Sequence, residues 1–283
     1  TLRPEGVAMA RIDEGDSLDL VVVQRSPGNA LPGQVSVYLG DGVGGFGAAI
    51  NSPTTIGNQA PEFSVADLNG DTELDLIVAT GTNSTSNVEV LLGDGAGAFA
   101  AGALYPAGVM VMDVAIGDFD GDEAPDIAAA DQNGSQVYVL LNNADGSGTF
   151  QDGVVAIPRP DSEAFPGAVT VADLNGDGDL DLAAGFGQSN VNSASAVVAL
   201  GNGDGTFRDA VVYAVSDFGS ATPVKVSAAD MNGDDVPDLV AANQNSSEIT
   251  ILPGVGDGSF LAPLAVPTGN TPETAVVADM DKD

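Results

Sequence analysis

One segment recurs through the whole chain, and any fold must accommodate every copy of it in the same way. It reads ADLNGDTELD at Ala66 to Asp75, GDFDGDEAPD at Gly117 to Asp126, ADLNGDGDLD at Ala172 to Asp181 and ADMNGDDVPD at Ala229 to Asp238. A fainter copy, ARIDEGDSLD, lies at Ala10 to Asp19, and a sixth, ADMDKD, occupies Ala278 to Asp283. The opening positions Arg11, Asp67, Asp118, Asp173, Asp230 and Asp279 recur at about 54 residues, a period typical of repeat architectures. A second motif keeps the same beat: an apolar run, a turn rich in Gly, Asp and Asn, then Phe46, Phe99, Phe150, Phe207 or Phe260, the pattern of a β-hairpin.

Each repeat therefore holds a short Val/Ala strand, the acidic loop, a strand such as Leu74 to Ala79, a polar turn, a third strand such as Val88 to Leu92, and a fourth strand beginning at the Phe. Helical periodicity is absent, and 37 Gly with 16 Pro serve as turn punctuation. Four antiparallel strands per repeat describe the blade of a β-propeller. The first strand is built from small residues such as Val65-Ala66, Val114-Ala115 and Val171-Ala172, as the crowded centre of a propeller requires. A solenoid coil is shorter than this unit. The expected fold class is all-β, a propeller of four-stranded blades. Its repeats fall at 4–59, 60–110, 111–166, 167–223 and 224–271, with a partial sixth at 272–283, in one region spanning 1–283. Pro4 to Ala8 aligns with Pro272 to Val276, and the sixth loop lacks its ninth position. The expectation is thus a propeller of six or seven blades, completed by further chain or by a neighbouring one.

Charge narrows the function. The 41 Asp and Glu stand against 7 Lys and Arg, a formal net charge of −34, and His, Cys and Trp are absent. Such a chain lacks the basic groups that displace counterions from phosphate, which argues against nucleic acid and anionic membrane surfaces. Nucleophilic triads, His-ligated zinc and disulfides are excluded by composition. No apolar run approaches the roughly 20 residues that a membrane-spanning helix needs. More than half of the acidic residues lie inside the repeated loops.

Those loops have the chemistry of a hard-cation site. Asp67, Asn69, Asp71, Glu73 and Asp75 occupy positions 1, 3, 5, 7 and 9 around Gly70, so alternate oxygen-bearing residues can wrap one ion, and this density of hard oxygens suits calcium. The pattern repeats as Asp118, Asp120, Asp122, Ala124 and Asp126, as Asp173, Asn175, Asp177, Asp179 and Asp181, and as Asp230, Asn232, Asp234, Val236 and Asp238. Position 7 varies, so it is expected to act through its backbone carbonyl. The four repeats share carboxylates at positions 1, 5 and 9, and Asp279, Asp281 and Asp283 begin the sixth set. An EF-hand is excluded because its position 12 needs Glu, and Val78, Ala129, Ala184 and Ala241 stand there. The first loop is expected to hold no ion: Arg11 replaces the opening Asp, and its guanidinium is expected to pair with Asp13 or Asp19.

The two motifs together resemble the FG-GAP/VCBS repeats of bacterial surface proteins, related to the propeller of integrin α-subunits. The resemblance covers essentially the whole chain. It implies calcium bound by the loop between the first and second strands of a blade, and an extracellular or cell-surface propeller used for adhesion or as a scaffold. Loops of this kind often bind calcium at about 10⁻⁴ to 10⁻³ M, a level found outside cells. The expected partners are calcium and another protein or a surface glycan. The expected role is non-enzymatic, with a structural subunit of an extracellular assembly or filament as the alternative, and a lyase-like or lectin-like carbohydrate-active propeller behind both. Aromatic platforms for sugars are few, and Asp161, Glu163 and Asp217 are the carboxylates outside the loops that an enzyme would draw on. Sequons at Asn83, Asn133 and Asn245 fall in the turn between second and third strands, where plain turn chemistry also accounts for them.

Overall fold

Alternating Val and Ala cannot bury both faces of a strand unless sheets stack on each side of it, and the architecture follows from that need. The computed structural model describes residues 2–25, 33–55, 62–82, 85–100, 102–160, 164–188, 194–216, 225–243 and 247–269, with 272, 274, 275 and 277. These residues form five four-stranded sheets. The first comprises β1 (Arg3–Ala10), β2 (Asp19–Arg25), β3 (Gly33–Tyr38) and β4 (Ile50–Thr54). The second comprises β5 (Phe63–Ala66), β6 (Asp75–Thr82), β7 (Thr85–Leu91) and β8 (Ala103–Pro106). In the third are β9 (Val111–Gly117), β10 (Asp126–Asp131), β11 (Gln136–Leu140) and β12 (Val154–Ile157). The fourth holds β13 (Ala164–Ala172), β14 (Asp181–Gln188), β15 (Ala194–Ala199) and β16 (Val211–Ser216), and the fifth β17 (Lys225–Ala229), β18 (Asp238–Asn243), β19 (Glu248–Leu252) and β20 (Leu264–Pro267).

Every sheet is an antiparallel meander in chain order, the blade of a β-propeller, as the repeat predicts. Between third and fourth strands, the motif that ends in Phe closes through isolated bridges: Gly40 with Phe46, Gly93 with Phe99, Asn142 with Phe150, Gly201 with Phe207 and Gly254 with Phe260. Contacts divide the chain into two compact units, one of residues 1–118, 122–129 and 139–154, the other of 119–121, 130–138 and 155–283.

Within the first unit, Val21, Val23, Val35 and Val37 of the first sheet pack against Phe63, Val65, Leu76 and Val78 of the second. The opposite face of that second sheet, Ile77, Ala79, Val88 and Val90, packs against Val111, Val114 and Ile116 of the third. Within the second unit, Ala183, Ala196 and Val198 of the fourth sheet meet Val226, Ala228 and Leu239 of the fifth. Period-two alternation thus gives each sheet two apolar faces, and each large side chain so buried contributes about 1.5–3 kcal/mol. Aromatic edges reinforce the layers: Tyr105 meets Phe150 at 5.4 Å between ring centroids and Tyr213 meets Phe260 at 5.2 Å.

Glu89 interrupts this apolar order in the middle of β7. It is buried, and its Oε2 accepts hydrogen bonds from the backbone N–H and the hydroxyl of Thr55, both at 2.9 Å. Burial raises its pKa, and the two bonds from Thr55 only partly offset that effect. A carboxyl whose folded pKa lies above its unfolded value favours folding most below the unfolded value, and that advantage is lost as pH rises through the folded pKa. Glu89→Gln keeps an acceptor for Thr55 without the charge. Thermal melts should therefore find the variant more stable than the parent near pH 7, with the difference shrinking toward about pH 4.

Candidate metal centre

Each acidic loop links the first strand of a blade to the second, so its ends are held at hairpin distance: Ala66 pairs with Asp75, Ala172 with Asp181 and Ala229 with Asp238. The ninth residue sits at the root of this hairpin and is almost completely buried in all five loops, as Asp19, Asp75, Asp126, Asp181 and Asp238. Its two oxygens do separate work. In the second blade, Oδ2 of Asp75 accepts from Leu68 N and Oδ1 from Gly93 N, both at 2.8 Å. In the fourth, Asp181 accepts from Leu174 N and Gly201 N, again at 2.8 Å. Asp238 holds Met231 N and Gly254 N at 2.9 and 2.7 Å, and Asp19 holds Ile12 N and Gly40 N at 2.8 Å. Asp126 accepts from Asn142 N at 2.7 Å. The ninth carboxylate therefore fastens the acidic loop to the hairpin turn of its own blade, whether or not the loop has the full motif.

Burial raises the pKa of Asp75 and Asp181 above the usual carboxylate range. The two backbone donors oppose that effect, and the nearby charges of Asp71 and Asp67, or of Asp177 and Asp173, add to it. The first residue behaves differently. Asp67 accepts from Gly70 N at 2.7 Å and Thr72 N at 2.9 Å, and Asp230 accepts from Gly233 N at 2.7 Å and Asp235 N at 2.9 Å. The N–H groups of Asp235 and Gly233 hold the Asp230 pKa below its ordinary value. The fifth residue is engaged with the seventh in every complete loop. Asp71, Asp122, Asp177 and Asp234 accept from Glu73, Ala124, Asp179 and Val236 N at 2.9 to 3.0 Å.

In the third blade, carboxylate oxygens of Asp118, Asp120 and Asp126 lie within 4.8 Å of one another, close enough to hold one metal ion. This trio takes positions 1, 3 and 9 of the five donors expected in this loop. Asp122, at position 5, is outside it, with Oδ1 accepting from Ala124 N. Positions 3 of the other complete loops are Asn69, Asn175 and Asn232, whose amide oxygens are also hard donors. All three donors of the trio are oxygen and none is nitrogen or sulfur, so the residues present fit a hard divalent cation. The sixth set, Asp279, Asp281 and Asp283, lies outside the described residues, as do Asp161, Glu163, Asp217, Asn83 and Asn245. Asn133 is described and exposed in the turn after β10.

One expectation needs correction. Arg11 is exposed and makes no ion pair with Asp13 or Asp19 among the described residues, because backbone N–H groups already occupy the oxygens of Asp19. Arg208 does reach a loop carboxylate, at 3.5 Å from Asp177. At position 7, the side chains of Glu73 and Asp179 lie over Gly95 and Gly203 of their own blades' turns, a close approach that leaves no room for a Cβ.

One residue of the site was not legible in advance. At Gly40, Gly93, Gly201 and Gly254 a Cβ would collide with the carbonyl oxygen of Leu18, Leu74, Leu180 or Pro237. The third blade carries Asn142 there. Its Nδ2 donates to Pro125 O of its own loop at 3.1 Å and to Leu68 O of the second blade's loop at 2.9 Å. Beside it a cleft of about 350 Å³ opens between these two loops, lined by Asp67, Asn69, Asp122, Glu123 and Asn142 with Leu68 and Pro125.

Comparison with known proteins accords with this geometry. A model described as an FG-GAP-like repeat matches residues 67–129, 118–184, 189–241 and 230–283. No curated protein matches the chain in sequence. Among solved structures, a lectin of Agrocybe aegerita that recognises non-reducing terminal N-acetylglucosamine is similar with TM-score 0.60 and 23% identity, over 93% of this chain and 65% of the lectin. An α-L-arabinanase of Penicillium chrysogenum, complexed with arabinobiose, has TM-score 0.60 and 14% identity, over 95% of this chain and 83% of its own. A rhamnogalacturonan lyase of Bacillus licheniformis has TM-score 0.52 and 14% identity, over 96% and 58%. The chain thus spans less than two thirds of the lectin and of the lyase. These likenesses establish a shared fold. They also overturn the expectation of a non-enzymatic chain, since two of the three are enzymes of carbohydrate and a propeller without a recognisable triad is no sign of an inert one.

The buried fastener makes a direct prediction. Asp181→Ala leaves the N–H groups of Leu174 and Gly201 without acceptors and should cost about 2–5 kcal/mol by denaturant unfolding, with or without metal. Asn142→Ala strips two carbonyls of their donor and should cost about 1–3 kcal/mol, while Asn143→Ala nearby costs much less.

Proposed function

Since this chain belongs to the FG-GAP-like repeat family, we propose that it is a calcium-holding, carbohydrate-directed propeller that works outside the cell or at its surface. The observation that carries the metal part is the oxygen trio of Asp118, Asp120 and Asp126, set in a loop whose motif recurs in three other blades. Asp67, Asp173 and Asp230, with Asn69, Asn175, Asn232 and the buried ninth carboxylates, are the corresponding donors in those blades. A bound cation would supply positive charge where several carboxylates share one short loop.

The chain's own residues prepare that place. Backbone N–H groups fix the first and ninth carboxylates before any ion arrives, so little side-chain freedom remains to be lost on binding. With the net charge at −34, the self-repulsion of the loops opposes folding, and a ligand that binds only the folded state counters it. Weak affinity suits the millimolar calcium outside cells, which supports the extracellular reading.

Support for carbohydrate comes from the lectin, the arabinanase and the lyase, three similar folds whose ligands or substrates are glycans. Cleavage of the glycan is the second reading, favoured by the enzymes among them. Without His or Cys, such chemistry would fall to carboxylates.

Calcium at about ten times its dissociation constant should stabilise the fold by about 1.4 kcal/mol per site, read as a higher melting temperature than in chelator. Asp120→Ala should reduce that gain while leaving the melt in chelator little changed; identical melts with calcium and with chelator would sink the metal reading. For the carbohydrate reading, the full chain is incubated with arabinan, rhamnogalacturonan and chitin-derived oligosaccharides. Retention on any of them supports binding, release of reducing ends or unsaturated products supports cleavage, and neither result on any polysaccharide overturns it.

A further inference from the structure

Asn-Gly is the dipeptide in which a side-chain amide is most open to attack by the next backbone nitrogen, because glycine puts no Cβ beside the attacking atom. The chain has five such steps: Asn69-Gly70, Asn133-Gly134, Asn175-Gly176, Asn202-Gly203 and Asn232-Gly233. The fold restrains them unequally. In the acidic loops, Gly70 N donates to Asp67, Gly176 N to Asp173 and Gly233 N to Asp230, each at 2.7 Å. Two of these loops hold the carboxamide as well: Asn69 Oδ1 accepts from Asp71 N at 3.0 Å and Asn175 Oδ1 from Asp177 N at 2.8 Å. At Asn202 the side chain is tied at both ends, with Nδ2 donating to Thr206 Oγ1 at 2.9 Å and Oδ1 accepting from Arg208 Nε at 3.3 Å.

Asn133-Gly134 has none of these restraints. It lies in the turn between β10 and β11, and Asn133 is exposed. Among the described residues, neither the carboxamide of Asn133 nor the N–H of Gly134 makes a hydrogen bond. The turn closes beside them instead, through Ser135 N donating to Gln132 O at 3.3 Å. Ser135 is buried in left-handed backbone (φ 59°), and its Oγ accepts from Arg159 Nη2 at 2.9 Å. Glycine is required at 134, because a Cβ there would stand 1.9 Å from Oδ2 of the buried Asp131. The fold thus demands the one residue that leaves the attacking nitrogen uncovered, and nothing holds that nitrogen back.

We propose that Asn133 is a site of spontaneous covalent conversion in the folded protein, and that the acidic loops protect Asn69, Asn175 and Asn232 from the same reaction. The nitrogen of Gly134 bonds to Cγ of Asn133, the Cγ–Nδ2 bond breaks, and Nδ2 leaves as ammonia with the proton that the backbone nitrogen gives up. Water then opens the succinimide ring. Addition at Cγ yields an aspartate, and addition at the main-chain carbonyl yields an isoaspartate, whose chain runs through the former side chain. No group is oxidised or reduced, and water is the only co-reactant. In the acidic loops the glycine N–H must first leave an aspartate oxygen, which slows attack about tenfold or more. The carboxylates around it also disfavour the amide anion that attacks. Conversion removes the sequon that Asn133 shares with Ser135. The inference needs neither a bound cation nor a glycan and stands apart from both readings.

Incubation of the full chain in calcium at mildly alkaline pH, folded and in denaturant, tests the proposal, with peptide mapping by mass spectrometry following amide loss and isoaspartate at all five steps. In the denatured chain the five should convert at similar rates. In the folded chain Asn133 should stay within about threefold of its denatured rate, whereas Asn69, Asn175 and Asn232 should slow by about tenfold or more. Asn232 gives the sharpest comparison, since it is exposed as Asn133 is and differs in the held N–H of its glycine. Raising the pH should speed conversion at Asn133, because attack needs the deprotonated nitrogen. Asn133→Gln should stop conversion there and leave the melting temperature unchanged. A folded chain that protects Asn133 as strongly as the acidic loops protect theirs overturns the proposal. So does conversion of Asn232 as fast as that of Asn133.

Discussion

The buried ninth carboxylate of each acidic loop organises the blade around it. In the first, second, fourth and fifth blades the ninth residue lies between two backbone N–H groups, one at the start of its own loop and one from the turn between third and fourth strands, and in the third Asp126 accepts from the turn at Asn142 N. An uncompensated carboxylate at this depth would be costly, and a buried N–H without an acceptor equally so, so the two needs satisfy each other. The consequence is geometric. The acidic loop cannot move relative to the hairpin turn of its blade, which places loop and turn together at one end of every sheet.

That fastening explains why the first loop keeps its shape without the full motif. Asp19 makes the same bonds as its counterparts even though Arg11 and Gly15 have replaced two of the acidic positions. Blade construction therefore does not depend on the full acidic motif of the loop. The ninth carboxylate serves that construction in every blade, and in the third it also joins Asp118 and Asp120. Strain is part of the same design: Thr72, Glu123 and Asp235 adopt left-handed backbone at the sixth position, where the fourth blade has Gly178. Such residues persist where surrounding hydrogen bonds over-determine the turn, and here the opening carboxylate accepts their N–H groups.

Packing between sheets obeys a second rule that is equally regular. Within each unit neighbouring sheets pack apolar face to apolar face, so stability accrues from neighbour contacts as it does in other repeat proteins. The similar folds among a lectin, an arabinanase and a lyase show that this scaffold is compatible with several chemistries, and function has to be sought in what each chain places on it.

The repeat, its strand order, the turns that end in Phe and the loops that gather the negative charge were all legible in the residues alone, because each depends on contacts a few positions apart. Asx-type bonds between positions 1, 3, 5 and 7 are local in the same sense, and a short motif suffices to encode them. Tertiary structure decided what local spacing cannot express. It chose positions 1, 3 and 9 as the converging carboxylates of the third blade. It turned Asn142 into a tie to the preceding loop where other blades have glycine, and it left Arg11 in solvent while Arg208 approached Asp177. It also determined that Val7 and Phe46 are exposed although their counterparts Val114 and Phe150 are buried. Identical motifs acquire different surroundings when the sheets on either side of them differ, and burial is a property of those neighbours.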